Sequence, residues 1–452
     1  MFALPFARRM PSLPVPMLNF QNVLIAIAFF SMARDRRKEG EKKARVPHLV
    51  PILVLGLLIT VSYVQMVLTF VPVYSRKLWD PYKIDVQFKS VIYCLLLYIF
   101  AAMAIRSRED VAAALKAGIA GMIVEAMYIT LEYLVLSPGR ATGHLAEPNN
   151  AGVFLACSFN LMLAFLLLLP KGDRRKRILV VGLAFTAVSL VGTLSRGGWG
   201  GCLLAFVFLT AITNRKVLAA GLLVLAMGSY WVPKSVVNRL DASVVDEKDT
   251  LVIFRDGRVD GESPVLDFIN DYLERKAREE GLGDEKVRLD PSMQERIIVW
   301  TVAVKMMADY PLGVGYGVFP FHVVEYSNVL WYKASHNIYL KTGAESGIPA
   351  LLALLYLIVA LFRDAVRVYR KETDPAARAL GIGAAAYLLA LAMGAMMIDI
   401  FFQVEVNGQF WMLMAMVCRV PSLAAEKAEE PQPAVPAEPS PSAPKPLYEL
   451  VR

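Results

Sequence analysis

The sequence predicts an all-α polytopic membrane protein, and three observations carry that prediction. Apolar residues fill 56% of its 452 positions, more than a water-soluble enzyme of this length carries. Uncharged runs recur that approach the 20 or so residues a helix needs to cross the bilayer. These runs are too long for barrel strands and lack their two-residue alternation, and lipid demands that each backbone polar group be satisfied within its own segment, so the runs are helices.

Taken in order, apolar spans are expected at about 13 to 33, 49 to 74, 86 to 105, 111 to 136, 150 to 170, 178 to 194, 197 to 213, 217 to 233, 346 to 362, 379 to 400 and 404 to 418, with ends good to about three residues. That makes about eleven, with ten or twelve in range. The first carries Pro14 and Pro16, and the last is short and contains Glu405, so these two fit the pattern least well.

Basic residues set the orientation. The loops at 34 to 48, 106 to 110, 171 to 177, 214 to 216 and 363 to 378 carry 21 Lys and Arg together, whereas the alternating loops at 75 to 87, 137 to 149, 195 to 198 and 401 to 408 carry 5. The positive-inside rule makes the first set cytoplasmic. The chain then divides into N-terminal transmembrane helices (1–233), one large periplasmic loop (234–337), C-terminal transmembrane helices (338–418) and a tail (419–452). The tail is rich in Pro, Ala and Glu from 424 to 446 and is expected to be disordered in the cytoplasm. Residues 1–12 fall outside, which raises the expectation of a further helix upstream, and the first span is expected to serve as an uncleaved signal.

The net charge of +8 invites a nucleic-acid reading, but its surplus lies in the cytoplasmic loops, while residues 241–290 hold 15 acids against 8 bases. The balance reports topology, with no nucleic-acid partner. Cys94, Cys157, Cys202 and Cys418 all fall within spans, so neither a disulfide framework nor a zinc spacing is expected.

Within the periplasmic loop a polar helix is expected from Pro264 to Glu280. Ser292, three residues before Glu295, has the pattern of a capping box, so a second helix should begin there. Met293, Ile297, Trp300, Val304 and Met307 form its apolar stripe, facing the membrane surface or the bundle mouth, and Tyr310 with Pro311 ends it. The run PLGVGYGVF (311–319) carries glycines at 313, 315 and 317 but no following Lys; it reads as an irregular connection more readily than as a phosphate cradle.

On this topology four polar segments share the periplasmic face: GHLAEPNNAG (143–152), TLSRGGWGG (193–201), PSMQERIIVW (291–300) and SHNIYLKTGAESG (335–347). Nucleotide sugars and ATP are absent outside a bacterial inner membrane, so group transfer there needs a donor already activated on a lipid, of which a lipid-linked diphosphate is the natural form. Breaking a sugar–diphosphate bond throws negative charge onto the leaving oxygens, which guanidinium groups can hold bidentately. Arg196, Arg296 and Arg140 are the candidates for the diphosphate, and no metal-ligand cluster or cofactor motif accompanies them. An acceptor hydroxyl must lose its proton as the new bond forms, and His336, in a polar stretch at the outer end of a helix, is the candidate general base.

Other polar residues have ordinary readings beside functional ones. Asn149 and Asn150 could cap a helix beginning at Ala151. Glu125 and Glu132 lie inside the fourth span, where an ionisable group faces the bundle interior, pairs with an arginine or lines a cavity. Glu345, Asp399 and Glu405 gather toward the outer side, where any of them could orient His336 or an arginine.

The joint spacing of His336, Asn337, Tyr339, Leu340, Glu345 and Gly347, preceded by Arg296, Trp300 and the run 311–317, resembles the signature region of the O-antigen ligase and O-antigen polymerase family. EPNNA (147–151) and SRGG (195–198) resemble it too, so the likeness runs from about residue 140 to 405. It implies an inverting, metal-independent glycosyltransferase that moves a glycan from undecaprenyl diphosphate onto another lipid-linked glycan or a lipid A core, at the periplasmic face of the inner membrane. Position by position it implies diphosphate binding by Arg196 and Arg296 and assistance to the acceptor by His336, with Asn149, Asn150, Asn337 and Glu345 in support. The chain departs from the family in a shortened first helix region, against the usual twelve spans, and in the charged insert 241–290.

A transporter or flippase is the alternative, motivated by Glu125 and Glu132. Against it, no two halves of the sequence match. A scaffold for other polysaccharide-assembly proteins would use the tail but leave the four segments unexplained.

Overall fold

The computed structural model describes residue 1 and residues 46–69, 81–136, 140–227, 244–246, 287–289, 291–326 and 333–428. Among these residues the helices are α1 (Leu49–Thr69), α2 (Pro81–Ala104), α3 (Arg108–Leu131, continued by a π-turn Glu132–Leu136), α4 (Pro148–Leu168), α5 (Arg175–Gly192), α6 (Arg196–Thr213), α7 (Arg215–Met227), α8 (Pro291–Asp309), α9 (Phe319–Tyr326), α10 (Ile338–Lys371), α11 (Pro375–Gly394) and α12 (Val404–Ala428). Two three-residue strands, β1 (Val244–Asp246) and β2 (Val287–Leu289), pair antiparallel with Val244 opposite Leu289.

Each apolar span expected from residue 49 onward coincides with a helix. Among the described residues, seven helices are long and apolar enough to cross a membrane, by length and composition: α1, α2, α3, α4, α6, α10 and α11. Three others fall short for visible reasons: α5 opens on Arg175, Lys176 and Arg177, α7 has 13 residues, and α12 carries Glu405 and Arg419. The expected span at 13 to 33 and the expected helix 264–280 lie outside the described residues.

Among these seven, α4 and α11 lie deepest, their apolar windows 78% buried, whereas those of the other five stay between 28% and 44%. They pack on each other and on α6 through small residues, which let helix backbones approach closely where no water drives association. A Cβ at Gly394 would lie 2.4 Å from Val153 Cγ2 of α4, and one at Gly201 2.9 Å from the Ala390 carbonyl of α11. Outward faces present large apolar side chains such as Leu57 and Leu68 of α1 and Val359 of α10, as a lipid-facing surface requires.

Helix ends follow the local sequence. Ser107 caps α3, its side chain accepting from Asp110 N while Asp110 reaches back to Ser107 N, a closed capping box. Asp374 caps α11, with Pro375 in its first turn. The helix expected at Ser292 begins at Pro291 instead, so Ser292 lies inside the first turn; proline, with its fixed φ and no N–H to satisfy, suits that start. The stripe expected on it is also rotated. Val304 is 54% exposed, and the buried face keeps Ile297 of the expected stripe but runs on through Ile298, Val299, Val302, Ala303 and Met306, because α8 packs against α10 rather than along a single membrane-facing line.

α10 is kinked, and its hydrogen bonds account for the glycine-rich run before it. Gly347 has φ 86°, and Pro349 stands inside the helix. Pro349 has no N–H to give the Glu345 carbonyl, and the kink turns Ile348 N away from the Ala344 carbonyl. The loop repairs both: Gly315 N donates to Glu345 O at 3.0 Å, Val314 N to Ala344 O at 3.0 Å, and Ile348 N to Pro311 O at 2.8 Å. A Cβ at Gly313 would lie 2.3 Å from the Glu345 carbonyl. The amides of Gly315 and Val314 are therefore engaged by α10, which supports the irregular connection over a phosphate cradle.

At the chain's other end, α12 continues to Ala428, so residues 419–428 of the expected disordered tail are helical. Arg419 is buried, with its guanidinium on the Ile105 carbonyl and Ser422; residues 429–452 lie outside the described residues.

Candidate functional site

The N-terminal ends of α4, α6, α8, α10 and α12 and the segments after α3 and α11 line two cavities that meet at Ile398. Helix N-termini present unsatisfied N–H groups and the positive end of the helix dipole, so those of α4, α6 and α8 at the smaller cavity favour an anionic ligand there.

The smaller cavity, about 220 Å³, is lined by Arg140, Arg196 and Arg296 together with Asn149, Ser195 and Met397. All three arginines singled out from sequence, from three distant segments, thus share one space. Arg196 opens α6 directly after its cap, Ser195, whose side chain accepts from Gly198 N at 3.2 Å. Arg140 braces that turn: its Nε donates to the Thr193 carbonyl at 3.1 Å, and its Nη2 to Asn149 Oδ1 at 3.0 Å. Arg296 reaches the cavity from the second turn of α8, its Nη1 4.0 Å from the Met397 sulfur. Its neighbour Glu295 turns aside to pair with Lys333 at 2.8 Å.

Arg196 is held where it is by a backbone crossing of α4 and α6. A Cβ at Gly198 would lie 2.7 Å from the Gly152 carbonyl carbon, whereas one at Gly200 would meet nothing within 4 Å. Gly198→Ala is expected to lower stability by about 1–3 kcal/mol through this overpacking, while Gly200→Ala should be neutral or stabilising by up to about 1 kcal/mol from helix propensity. Thermal unfolding of the two variants in detergent checks this pair; equal melting temperatures would contradict it.

The larger cavity, about 500 Å³, is lined by His336, Lys341, Glu345, Asp399, Glu405, Asn150 and Gln403 among others. His336 is exposed into it from a strained turn, with φ 48°, a conformation uncommon outside glycine. Neighbouring contacts fix that turn. Asn337 caps α10, accepting from Tyr339 N and Leu340 N at 3.0 and 3.2 Å, and Trp300 Nε1 donates to the Ser335 carbonyl at 3.0 Å. Ile338 N donates to the Ala395 carbonyl at 3.0 Å. Among the described residues, Ala146 and Leu194 also have positive φ, at 72° and 50°, so three of the four polar segments carry a strained residue beside their key side chains.

Several expectations about supporting residues change. Asn149 and Asn150 do not cap α4, which begins at Pro148 with Glu147 at the cap position. Asn149 accepts from Arg140 instead, and Asn150 donates to Gln403 Oε1 at 2.9 Å, so the adjacent pair faces one cavity each. Glu125 and Glu132 bond the loop after α3. Glu125, fully buried, takes His144 N and His144 Nδ1, both at 2.8 Å, and Glu132 takes Gly143 N at 2.6 Å. Asp399 pairs with Lys341 at 3.5 Å and accepts from Ser335 at 3.4 Å. Lys341 and Gln403 drew no notice in the sequence because one reads as a solvated helix charge and the other lies in a short apolar loop. The signal available for Lys341 was its place in the first turn of the helix that follows His336.

A His48, Asp364 and Cys418 group could hold a metal ion, but it belongs to the other end of α10, with Asp364 about 40 Å along the helix from its start at 1.5 Å per residue. There His48 Nε2 and Arg367 already close on Asp364 at 2.7 and 2.8 Å, and that added positive charge opposes a cation.

A family model described as O-antigen ligase matches residues 179–355. The match takes in Arg196, Arg296 and His336. No curated protein matches the sequence.

Proposed function

We propose that this chain, whose residues 179–355 match a family model described as O-antigen ligase, is a member of the O-antigen ligase and polymerase family and an inverting glycosyltransferase. It moves a glycan from undecaprenyl diphosphate to an acceptor glycan or lipid A core at the periplasmic face of a bacterial inner membrane. The observation that carries this reading is the meeting of Arg140, Arg196 and Arg296 around one cavity that adjoins the His336 cavity at Ile398.

The chemistry is a single displacement. The acceptor hydroxyl attacks the anomeric carbon, its proton passes to His336, and the glycosyl–oxygen bond to the diphosphate breaks on the opposite face. The configuration inverts, and undecaprenyl diphosphate leaves with the bond's electron pair. Arg196 and Arg296 take up the charge on its oxygens. Arg140, whose donors hold the 193–196 turn and Asn149, is a positioning residue that keeps Arg196 aimed.

Arginines that supply the charge make a divalent ion unnecessary, so transfer is expected to persist in excess chelator; loss of turnover restored by a divalent cation would overturn the arginine clamp. The transporter alternative drew on Glu125 and Glu132, and their bonds to the 142–144 backbone support a structural use for both. Deleting the gene and analysing surface glycans tests the proposal. Single-repeat products indicate a polymerase and long unattached chains a ligase, while unaltered surface glycans contradict both.

A further inference from the structure

The two cavities differ in sign. Arginines dominate the smaller one, whereas the described residues lining the larger one include four carboxylates, Glu147, Glu345, Asp399 and Glu405, against the single ammonium of Lys341. Lys341 is already committed to Asp399 and to Gln87 Oε1, at 3.5 and 3.1 Å. Glu345 stands out: it is 1% exposed and lines the cavity, yet neither carboxylate oxygen completes a hydrogen bond among the described residues. The amides of Gly317 and Phe319 lie within electrostatic reach of it without closing one. A buried acceptor left in this state calls for a ligand that donates.

Resting on the transferase reading above, we infer that the larger cavity receives the terminal sugar of the acceptor and selects a neutral or amino sugar against one bearing a carboxylate or phosphate. Sugar hydroxyls and an ammonium donate hydrogen bonds to Glu345, Asp399 and Glu405. A carboxylate or phosphate on the sugar brings only acceptors to these groups and a second acidic group beside Asp399 and Glu405. The apolar faces of Tyr316 and Phe402 in the same wall suit the carbon face of a sugar ring. Burial pushes the Tyr316 hydroxyl above its ordinary range, so it stays a neutral donor. Opposite signs in adjoining cavities also keep the anionic donor group out of the acceptor's place, a specificity built from repulsion.

Binding of three trisaccharides to the full-length chain in detergent, identical except for a terminal glucose, glucosamine or glucuronic acid, tests this by titration calorimetry. The glucuronic acid compound is expected to bind about tenfold or more weakly than the other two, the scale of one like-charge contact near a protein surface. Glu147→Gln with Glu405→Gln should narrow that ratio to about threefold, since two of the repelling charges are gone. Glu345→Gln should weaken the glucose and glucosamine compounds alike; if that variant does not fold, the Glu147 and Glu405 pair, nearer the cavity mouth, still decides. Equal binding of all three, binding of none, or a ratio unmoved by the double substitution overturns the inference. A parallel assay with lipid-linked donor separates the two claims: no transfer product from a chain that still discriminates the sugars removes the transferase reading and keeps the charge selection.

Discussion

Arg196→Ala and Arg296→Ala each lower glycan transfer by about a hundred- to a thousandfold, the cost of removing one preorganised donor from a developing anion. Protein level and membrane insertion stay at wild type, because neither side chain is part of the α4–α11 core. Arg196 opens α6 in a turn already fixed by the Ser195 cap and the Gly152–Gly198 crossing, so its removal leaves the turn in place. Lysine at either position should recover only part of the loss, since a point charge cannot grip two diphosphate oxygens as a guanidinium does. Arg140→Ala should act differently. It removes donors to Thr193 and Asn149, so a smaller loss accompanied by a lower melting temperature is expected. Turnover measured with purified variants and a lipid-linked donor checks all three, and full activity of Arg196→Ala or Arg296→Ala removes that residue from the site.

His336→Ala lowers turnover by about a hundred- to ten-thousandfold, the range for a lost general base. Alanine also has to adopt φ 48°, so a structural cost could masquerade as a chemical one. His336→Asn separates the two, because asparagine tolerates the left-handed region far better than other residues without a proton-accepting ring. The asparagine variant is expected to melt with the wild type and to be as inactive as the alanine variant. Activity above a tenth of wild type in His336→Asn would leave the ring without a chemical role.

Much of the architecture is legible in the sequence, because lipid admits few solutions. Apolar runs from residue 49 onward had to be helices, and each is one. Arg196 was also readable, since a cation in a short loop of the less basic set contradicts the usual charge bias and asks for a reason, whereas Arg296 was read from its place near a helix start and Arg140 from its place before the EPNN segment. Harder to read were features decided by packing between distant segments. The buried face of α8 depends on where α10 lies, so the sequence stripe from Met293 to Met307 was set on the wrong side of Val304. Glu125 looked like an arginine partner because nothing local shows that His144, 19 residues on, folds back to it. Hydrogen-bond accounting at Gly347 and Pro349 explains the glycine at 315, whose amide serves the Glu345 carbonyl, and the same carbonyl leaves no room for a Cβ at 313, but that carbonyl lies some thirty residues away. The division of the polar face into two cavities of opposite sign was invisible for the same reason: Asn149 and Asn150 are neighbours in the chain and face different spaces.

The most direct measurement is transfer by the purified chain in proteoliposomes, supplied with undecaprenyl-diphosphate-linked glycan, an acceptor glycan and excess chelator. The expected result is one undecaprenyl diphosphate released for each acceptor-linked product, with inversion at the anomeric carbon and no turnover in Arg196→Ala. Movement of intact lipid-linked glycan across the bilayer without any acceptor-linked product would contradict it.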